Sequence, residues 1–217
     1  TGSNQSYYVD DVANALSATA SSGMTLQWWG QLVGGNTLTA PVTPSTSSTG
    51  ITNYYVNQID NITGCQSTPR QLVTVTVNPA KPNISINTGI NANSITYCQN
   101  ASPVKLTASS ITGATLNWYT VPTGGSALTS APTPATGTVT TTSYYVAQTL
   151  NGLTSERVQI DVIVKPRPSV PLSISGVQNP RAGDTVRYSI SPVANATSYI
   201  WSLPSDWSGT ATIDNID

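Results

Sequence analysis

The sequence contains no histidine and only one glutamate, Glu156. The absence of histidine excludes Ser-His-Asp and Cys-His catalytic arrangements as well as histidine-based metal sites. Chemistry of the glycosidase type requires two apposed carboxylates, whereas the 9 acidic residues are spread thinly over 217 positions. We therefore expect a protein that is not an enzyme and that uses no cofactor.

Charge of either sign is scarce. Charged residues make up 8% of the chain, compared with about 25% in an average soluble domain. The formal net charge is −1, and the lysines are scattered rather than clustered. Binding to nucleic acids or to anionic membranes requires clustered Lys and Arg, so neither partner is expected. No apolar run approaches the ~18 residues of a membrane span, and membrane insertion is not expected either.

Asp10 and Asp11 form the only pair of adjacent acidic residues. Neighbouring side chains on a strand point to opposite faces, so these two carboxylates cannot face one substrate together. We interpret the pair as solvated surface residues. The alternative is a calcium ion at Asp10, Asp11 or Asp60. Calcium prefers 6–8 oxygen ligands, and these residues offer only a few carboxylates. We therefore predict that there is no metal site.

The residues that are abundant point to strands. Thr, Val, Ile and Tyr are strand formers, and 15 prolines and 16 glycines punctuate short segments. No window shows the 3.6-residue periodicity of a helix. The composition predicts an all-β protein.

The sequence also repeats itself at a spacing of 90 residues. Leu26–Trp29 returns as Leu116–Tyr119, and Tyr54–Gln58 returns as Tyr144–Gln148. A period of this length is a whole domain rather than a solenoid repeat of about 20–50 residues. The predicted domains are two repeats over 1–79 and 80–166 and a partial, related domain over 167–217.

Short strands with turn signals between them are typical of a Greek-key β-sandwich. Trp28, Trp118 and Trp201 take the place of the buried tryptophan of an immunoglobulin-like domain. The prediction is therefore tandem immunoglobulin-like β-sandwich domains. Gly34-Gly35 and Gly124-Gly125 are expected in hairpin turns rather than in phosphate loops. The proline-rich segments at 79–82 and 166–168 are expected to be short, stiff linkers.

Three aromatic residues are candidates for stacking against a ligand. Trp29 and Tyr119 alternate to the face opposite the core tryptophans, where a sugar or a partner could stack on them. The alternative is an aromatic ring covered by a neighbouring strand or proline. Trp207 falls in a loop of the third domain, where it could either bind a ligand or pack over the end of that domain.

Several motifs carry a family resemblance, namely Tyr97–Asn100, Gly64–Ser67, Gly124-Gly125 and Tyr144–Val146. Together with Leu116–Tyr119, they resemble the immunoglobulin-like repeats of very large surface adhesins of gliding Bacteroidota-type bacteria. The segment 196–209 is similar to the PKD-like domains of the same proteins. The resemblance implies a secreted protein on the outer face of the cell surface, with type IX secretion and the motility machinery as partners.

The resemblance also implies that a cysteine near the domain start pairs with one after the Tyr-Tyr-Val strand. Here Ser155 stands at the position expected to pair with Cys98, and Tyr8 at the position expected to pair with Cys65. We expect Cys65 and Cys98 to be free thiols. The topology is expected to place each cysteine near the N-terminal pole of its own domain. The two would then lie a domain length apart, farther than the ~7 Å between Cα atoms that a disulfide allows. A Cys65–Cys98 bridge is the alternative.

One modification site follows from the same resemblance. Asp184-Thr185-Val186 resembles the Asp-Ser/Thr-apolar O-glycosylation motif of this bacterial group, and Thr185 is the expected acceptor.

Three functions are open on these grounds. The first is a non-catalytic segment of a long secreted adhesin that serves gliding motility or surface attachment, for which surface polysaccharide is a possible ligand. The second is an accessory region of a secreted polysaccharide-degrading enzyme, since similar repeats serve there as spacers. The third is a carbohydrate-binding module that uses Trp29, Tyr119 or Trp207.

Overall fold

The computed structural model describes residues 2–84, 93–211 and 215–216, and within these ranges every regular element is a strand. No helix in the described ranges is long and apolar enough to cross a membrane. The prediction of an all-β chain of tandem immunoglobulin-like sandwich domains is confirmed.

By compactness the chain divides into two units. This division runs through strands of the second repeat and does not follow the repeat boundaries 1–79, 80–166 and 167–217, which stay a prediction. The first unit comprises Thr1–Ile95, Val104–Pro134 and Thr142–Val162, and the second comprises Thr96–Pro103, Ala135–Thr141 and Ile163–Asp217.

The first repeat is built on a five-stranded sheet with the strand order β1-β5-β4-β2-β3. Its first strand lies parallel to its last, with Gln5 opposite Val75 and Tyr8 opposite Asn78. The other pairs are antiparallel. The strands are β1 (Gln5–Tyr8), β2 (Met24–Trp29), β3 (Thr37–Leu38), β4 (Gly50–Asp60) and β5 (Gln71–Asn78).

The core of this repeat lies on one face of the sheet. Strand β5 alternates as the sequence predicts, with Val73, Val75 and Val77 buried and the residues between them more exposed. The alternation follows from the two-residue period of strand side chains. The core cluster is Leu16, Trp28, Val56, Val73, Val75 and Val77.

The layer opposite this sheet is made of extended segments with few regular strand pairs. Leu16 N donates to Val42 O at 2.7 Å, and Asp10 N donates to Thr46 O at 3.0 Å. The sequence pattern predicts a strand at 16–18, and this prediction is wrong, because Ala18 forms only an isolated bridge with Gly2. The second repeat has the same pattern, since Leu106 N donates to Pro132 O at 2.9 Å.

The second repeat is organised on a sheet with the order β11-β10-β12-β7, and β9 pairs with the long strand β10. Trp118 lies opposite Val146 and both are buried, as are Trp28 and Val56 in the first repeat. A small separate sheet pairs β6 with β8. The strands are β6 (Asn83–Ile84), β7 (Ser94–Cys98), β8 (Ala108–Ser109), β9 (Thr115–Tyr119), β10 (Thr141–Leu150), β11 (Leu153–Thr154) and β12 (Val158–Lys165).

The C-terminal region has less regular structure than the sequence predicts. The sequence pattern predicts strands over 185–190 and 198–203. The first forms only at its end, and the second does not form. A strand needs a neighbour for its backbone groups, and no described strand pairs with 198–203, where Ile200 is 98% exposed. The strands are β13 (Ile174–Ser175), β14 (Tyr188–Ile190) and β15 (Asn215–Ile216), in the sheet order β13-β14-β15.

Candidate functional site

An arginine covers Trp29 in the first repeat. Arg70 directly precedes β5, and its guanidinium carbon lies 3.5 Å from the centroid of the Trp29 ring. The Nη1 atom of Arg70 donates to the carbonyl oxygens of Gln31 and Gly34, both at 2.7 Å. These carbonyls belong to the turn between β2 and β3, so one side chain ties that turn to the start of the last strand.

The polar edge of Trp29 is also satisfied within the repeat. Its Nε1 donates to Asn57 Oδ1 at 2.9 Å, and Asn57 Nδ2 donates to Gln66 Oε1 at 3.1 Å. Trp29 is only 8% exposed. Buried indole N–H groups normally have such a partner, and the bond fixes the ring plane beneath Arg70.

The second repeat has the same arrangement with a tyrosine. The guanidinium carbon of Arg157 lies 3.4 Å from the centroid of the Tyr119 ring. Its Nη1 donates to Val121 O and its Nη2 to Gly124 O, both at 2.7 Å. Gly124 has a φ of 62° and Gly34 a φ of 68°, a left-handed conformation that glycine adopts without strain. The Gly-Gly segments are thus turns, each capped by an arginine.

This cap bears directly on the stacking hypothesis for Trp29 and Tyr119. Sugar stacking requires an open ring face, and one face of each ring is already in contact with a guanidinium. The covering group is an arginine rather than the neighbouring strand or proline of the sequence-based alternative. A ligand role for either ring stays a prediction, in which Arg70 or Arg157 must first move aside.

The two arginines were missed by the sequence reasoning, although a signal for them exists. Arg70 and Arg157 are the only arginines that precede residue 167, and each directly precedes the last strand of its repeat. Their spacing is 87 rather than 90 residues. An alignment that allows a three-residue shift would have paired them.

Trp207 is the most accessible of the three candidate aromatic residues, with 42% of its surface exposed. Its backbone N–H donates to Pro204 O at 3.0 Å, and its ring lies against Tyr188 with centroids 6.1 Å apart at 50°. The Tyr188 contact orients the ring without covering it. A face of Trp207 therefore remains available for contact.

Two shallow clefts adjoin Trp207, with volumes of about 490 and 510 Å³. Thr185, the candidate glycosylation site, is exposed and lines the first of them, so the structure brings two predicted site residues into one cleft. Asp184 lines both clefts and accepts a hydrogen bond from Arg181 N at 2.8 Å. An aromatic ring among carboxylates and hydroxyls suits a polar ligand with flat apolar faces. The polar lining residues of the two clefts are Arg181, Asp184, Thr185, Asp206, Ser208 and Thr210.

Both cysteines are exposed, and neither forms a disulfide. Cys65 lies in the turn after β4, where its carbonyl accepts Asp60 N at 3.0 Å. Cys98 ends β7, and the next residue, Gln99, donates its N–H to Lys165 O at 2.8 Å. Cys98 thus lies beside the C-terminal end of β12. The expectation that it lies at the N-terminal pole is wrong, because β7 runs toward the exit of the repeat.

Two of the three carboxylates considered for calcium, those of Asp11 and Asp60, accept hydrogen bonds within turns. Asp60 Oδ1 accepts the backbone N–H groups of Thr63 at 2.7 Å and Ile62 at 2.8 Å, and these bonds lower the pKa of Asp60. Asp11 Oδ2 accepts Tyr8 N at 2.7 Å. Across the part of the chain that the structure describes, no three acidic or cysteine side chains gather in a way that could hold a metal ion.

Comparisons with known proteins agree with this architecture. A family model described as "Ig-like domain CHU_C associated" matches residues 3–79 and 86–166, and a model described as "PKD-like domain" matches residues 167–216. Domains of these two types are typically non-catalytic. No curated protein matches the chain.

Solved structures of tandem β-sandwich domains are similar to the chain at low identity. Titin Ig tandem domains A164-A165 share 9% identity at a TM-score of 0.28, over 76% of this chain and 94% of that one. The tandem Ig repeats of Dlar share 14% at 0.29, over 76% and 95%. The fibronectin(III)-like modules of Clostridium thermocellum CbhA share 15% at 0.30, over 76% and 90%.

Proposed function

The chain belongs to the family of Ig-like domains described as CHU_C associated, and from this membership we propose that it is a spacer and contact segment of a long secreted cell-surface adhesin. The segment would serve gliding motility or surface attachment, as in an adhesin of the SprB type. Export by the type IX secretion system and a location on the outer face of the cell belong to the same proposal.

The observation that carries the proposal is the junction between the two repeats. Pro79 is fully buried, and Ala80 O accepts a hydrogen bond from Gln148 Nε2 at 2.7 Å. Lys81 Nζ lies 2.6 Å from Glu156 Oε2, an exposed ion pair that contributes little by itself. The linker is therefore held by the repeat that follows it, which suits a segment that keeps successive domains extended from a cell surface.

Tyr8 contributes to the same junction. Burial raises the pKa of its phenol, and the nearby Glu156 carboxylate raises it further. Tyr8 belongs to β1 of the first repeat and Glu156 to the second. The two repeats are thus close enough at the junction for Tyr8 and Glu156 to interact electrostatically, as expected of a semi-rigid string.

The test uses the native gene in the source bacterium. Deleting the codons for residues 1–217 in frame should reduce attachment to surfaces or gliding while the remaining protein is still exported. Antibodies against this segment should label intact cells, and the label should disappear when type IX secretion is inactivated. Normal attachment and gliding by cells that still display the shortened protein would contradict the adhesin role.

The alternative is an accessory region of a secreted polysaccharide-degrading enzyme. The native full-length protein, captured with the same antibodies from culture medium, would then release reducing sugar from polysaccharides. Absence of such activity from captured, intact protein would favour the adhesin. Activity in a protein whose deletion leaves attachment intact would favour the enzyme.

A carbohydrate-contact role is favoured by one observation, the accessible Trp207 ring between two polar clefts. In affinity electrophoresis, a polysaccharide that binds the chain retards its migration through the gel, and Trp207→Ala should abolish this retardation. The matched control is Trp29→Ala, because Trp29 lies beneath Arg70 and should change stability rather than retardation. Equal retardation of parent and Trp207→Ala, both folded, would reject this site.

A further inference from the structure

The second repeat holds the linker that precedes it through one side chain. Gln148 on β10 is 0% exposed, and its Oε1 accepts Ile111 N at 2.8 Å. A glutamine amide has one accepting and one donating end, so this bond directs Nε2 toward the linker. Nε2 then donates to Ala80 O at 2.7 Å.

The backbone around Gln148 is held as well. Gln148 N donates to Ser155 Oγ at 3.1 Å, and Ser155 N donates to Gln148 O at 2.9 Å. The side chain therefore starts from a fixed backbone. The unit formed by Gln148, Ile111 and Ser155 is a preformed receptor for one carbonyl group, and we call it the linker receptor.

The first repeat contains the same receptor. Gln58 and Ser21 lie 90 residues before Gln148 and Ile111. Gln58 Oε1 accepts Ser21 N at 2.6 Å, Gln58 N donates to Ser67 Oγ at 3.0 Å, and Ser67 N donates to Gln58 O at 2.8 Å. Nε2 of Gln58 has no acceptor among the residues that the structure describes. Its direction is nevertheless set, because Oε1 faces Ser21.

A cleft of about 220 Å³ adjoins Gln58. Four of its lining residues have identical counterparts 90 positions later in the second repeat, and one of these counterparts, Gln148, holds Ala80. Gln58 is half-buried, whereas Gln148 is fully buried. These four residues are Ala18, Leu26, Val56 and Gln58, and their counterparts are Ala108, Leu116, Val146 and Gln148.

We propose that the Gln58 cleft is a docking site for the exit segment of another Ig-like repeat, an extended proline-flanked strand of the Pro79–Pro82 type. Such a segment suits the site because proline has no N–H and an extended, polyproline-like backbone leaves its carbonyls free to accept. One carbonyl would accept Gln58 Nε2, as Ala80 O accepts Gln148 Nε2. The proposal deepens the spacer function, on which it rests, by naming the contact through which a preceding repeat would attach.

The charge of the segment should matter little at this site. Glu156, which pairs with Lys81, follows Ser155 in the second repeat, whereas Thr68 follows Ser67 in the first. The Gln58 cleft thus has no carboxylate in the corresponding position. Recognition should depend on the carbonyl and the prolines rather than on a lysine.

The test places a known exit segment in front of the complete chain. A copy of residues 75–90 added directly before Thr1 puts the copied Ala80 68 residues before Gln58, the spacing that separates Ala80 from Gln148. Tethering supplies an effective concentration in the millimolar range. The readouts are the hydrogen exchange and the NMR signals of the Gln58 side-chain amide, which is the proposed donor, and the backbone motion of the added segment measured by NMR relaxation.

The expected result is that exchange of the Gln58 side-chain amide slows by about tenfold or more, that its signals move toward those of Gln148, and that the added segment loses the fast backbone motion of a free tail. Gln58→Glu keeps the acceptor for Ser21 N but removes the donor, and should restore fast motion of the added segment in a folded chain. Gln148→Glu is the matched control and should leave the added segment ordered. Replacing the copied lysine by serine should also leave it ordered.

Three outcomes would overturn the proposal. One is fast motion of the added segment with unchanged Gln58 signals, and another is order of the added segment that persists in folded Gln58→Glu. Order that rises with protein concentration would assign the cleft to a second copy of the chain, and would also reject the proposal. None of these readouts depends on attachment or gliding, so failure here is distinguishable from failure of the adhesin role.

Discussion

Replacing Arg157 tests how much the arginine cap contributes to the second repeat. Arg157→Ala removes two hydrogen bonds of 2.7 Å, to Val121 O and Gly124 O, together with the contact to the Tyr119 ring. It leaves the turn between β9 and β10 without its tie to the start of β12. Arg157→Lys keeps the positive charge but loses the planar fork that reaches two carbonyls at once.

The magnitude follows from these contacts. A net hydrogen bond contributes about 1 kcal/mol, and a cation–π contact at a partly exposed site contributes about 0.5–1 kcal/mol. Arg157 is half-buried, so values at the lower end apply. We expect Arg157→Ala to lower the free energy of unfolding by about 2–3 kcal/mol and Arg157→Lys by about 1 kcal/mol.

Urea unfolding followed by tryptophan fluorescence measures this difference, since Trp118 is buried in the same repeat. A change in midpoint at constant slope reports stability alone. The control is Arg181→Ala, because the exposed Arg181 side chain should change stability by no more than about 0.5 kcal/mol. If Arg157→Ala and Arg157→Lys both unfold with the parent midpoint, the cap contributes nothing and the reasoning is refuted.

The remaining predictions concern the junction, one turn and the thiols. Gln148→Ala should lower the free energy of unfolding by about 2 kcal/mol because it strands Ile111 N and Ala80 O, whereas Gln58→Ala loses one bond and should cost about 1 kcal/mol or less in the same urea assay. Because its folded-state pKa is lowered, the Asp60 carboxylate stabilises the chain above its unfolded pKa, and that contribution is lost as pH falls through the folded pKa. An NMR titration should give a pKa below the ordinary value; an ordinary value would contradict the turn bonds. Cys65 and Cys98 should both react with a thiol reagent in the unreduced native chain, and a yield of one thiol or none would contradict the free, exposed state.

The parts of the fold that depend on local pattern could be predicted from the sequence. The alternation of Val73, Val75 and Val77 follows from the period of a strand, and repetition at 90 residues placed Trp28 and Trp118 together in equivalent cores. These features need only neighbours along the chain or a comparison of the chain with itself. For this reason the all-β, tandem immunoglobulin-like architecture could be predicted, and the structure confirms it.

The contacts of the candidate site could not be predicted in the same way. Arg70 reaches Trp29 across 41 positions of sequence, and no periodicity links the two. The strand expected at 198–203 fails for a related reason, because an alternating pattern gives a strand only where another strand accepts its hydrogen bonds. Pairing of this kind is a tertiary property, so pattern alone overestimates regular structure in the C-terminal region.

The parallel pairing of β1 with β5 has a mechanical consequence. The chain enters the first repeat at the start of β1 and leaves at the end of β5, and the ladder runs from Gln5 opposite Val75 to Tyr8 opposite Asn78. Val9 N extends it by donating to Asn78 O at 2.9 Å. Tension applied to the two ends therefore slides the strands lengthwise past each other, so that all these hydrogen bonds are strained together. A ladder in shear must break as a whole, whereas a hairpin pulled from its open end breaks bond by bond, and the first repeat is built in the more resistant geometry.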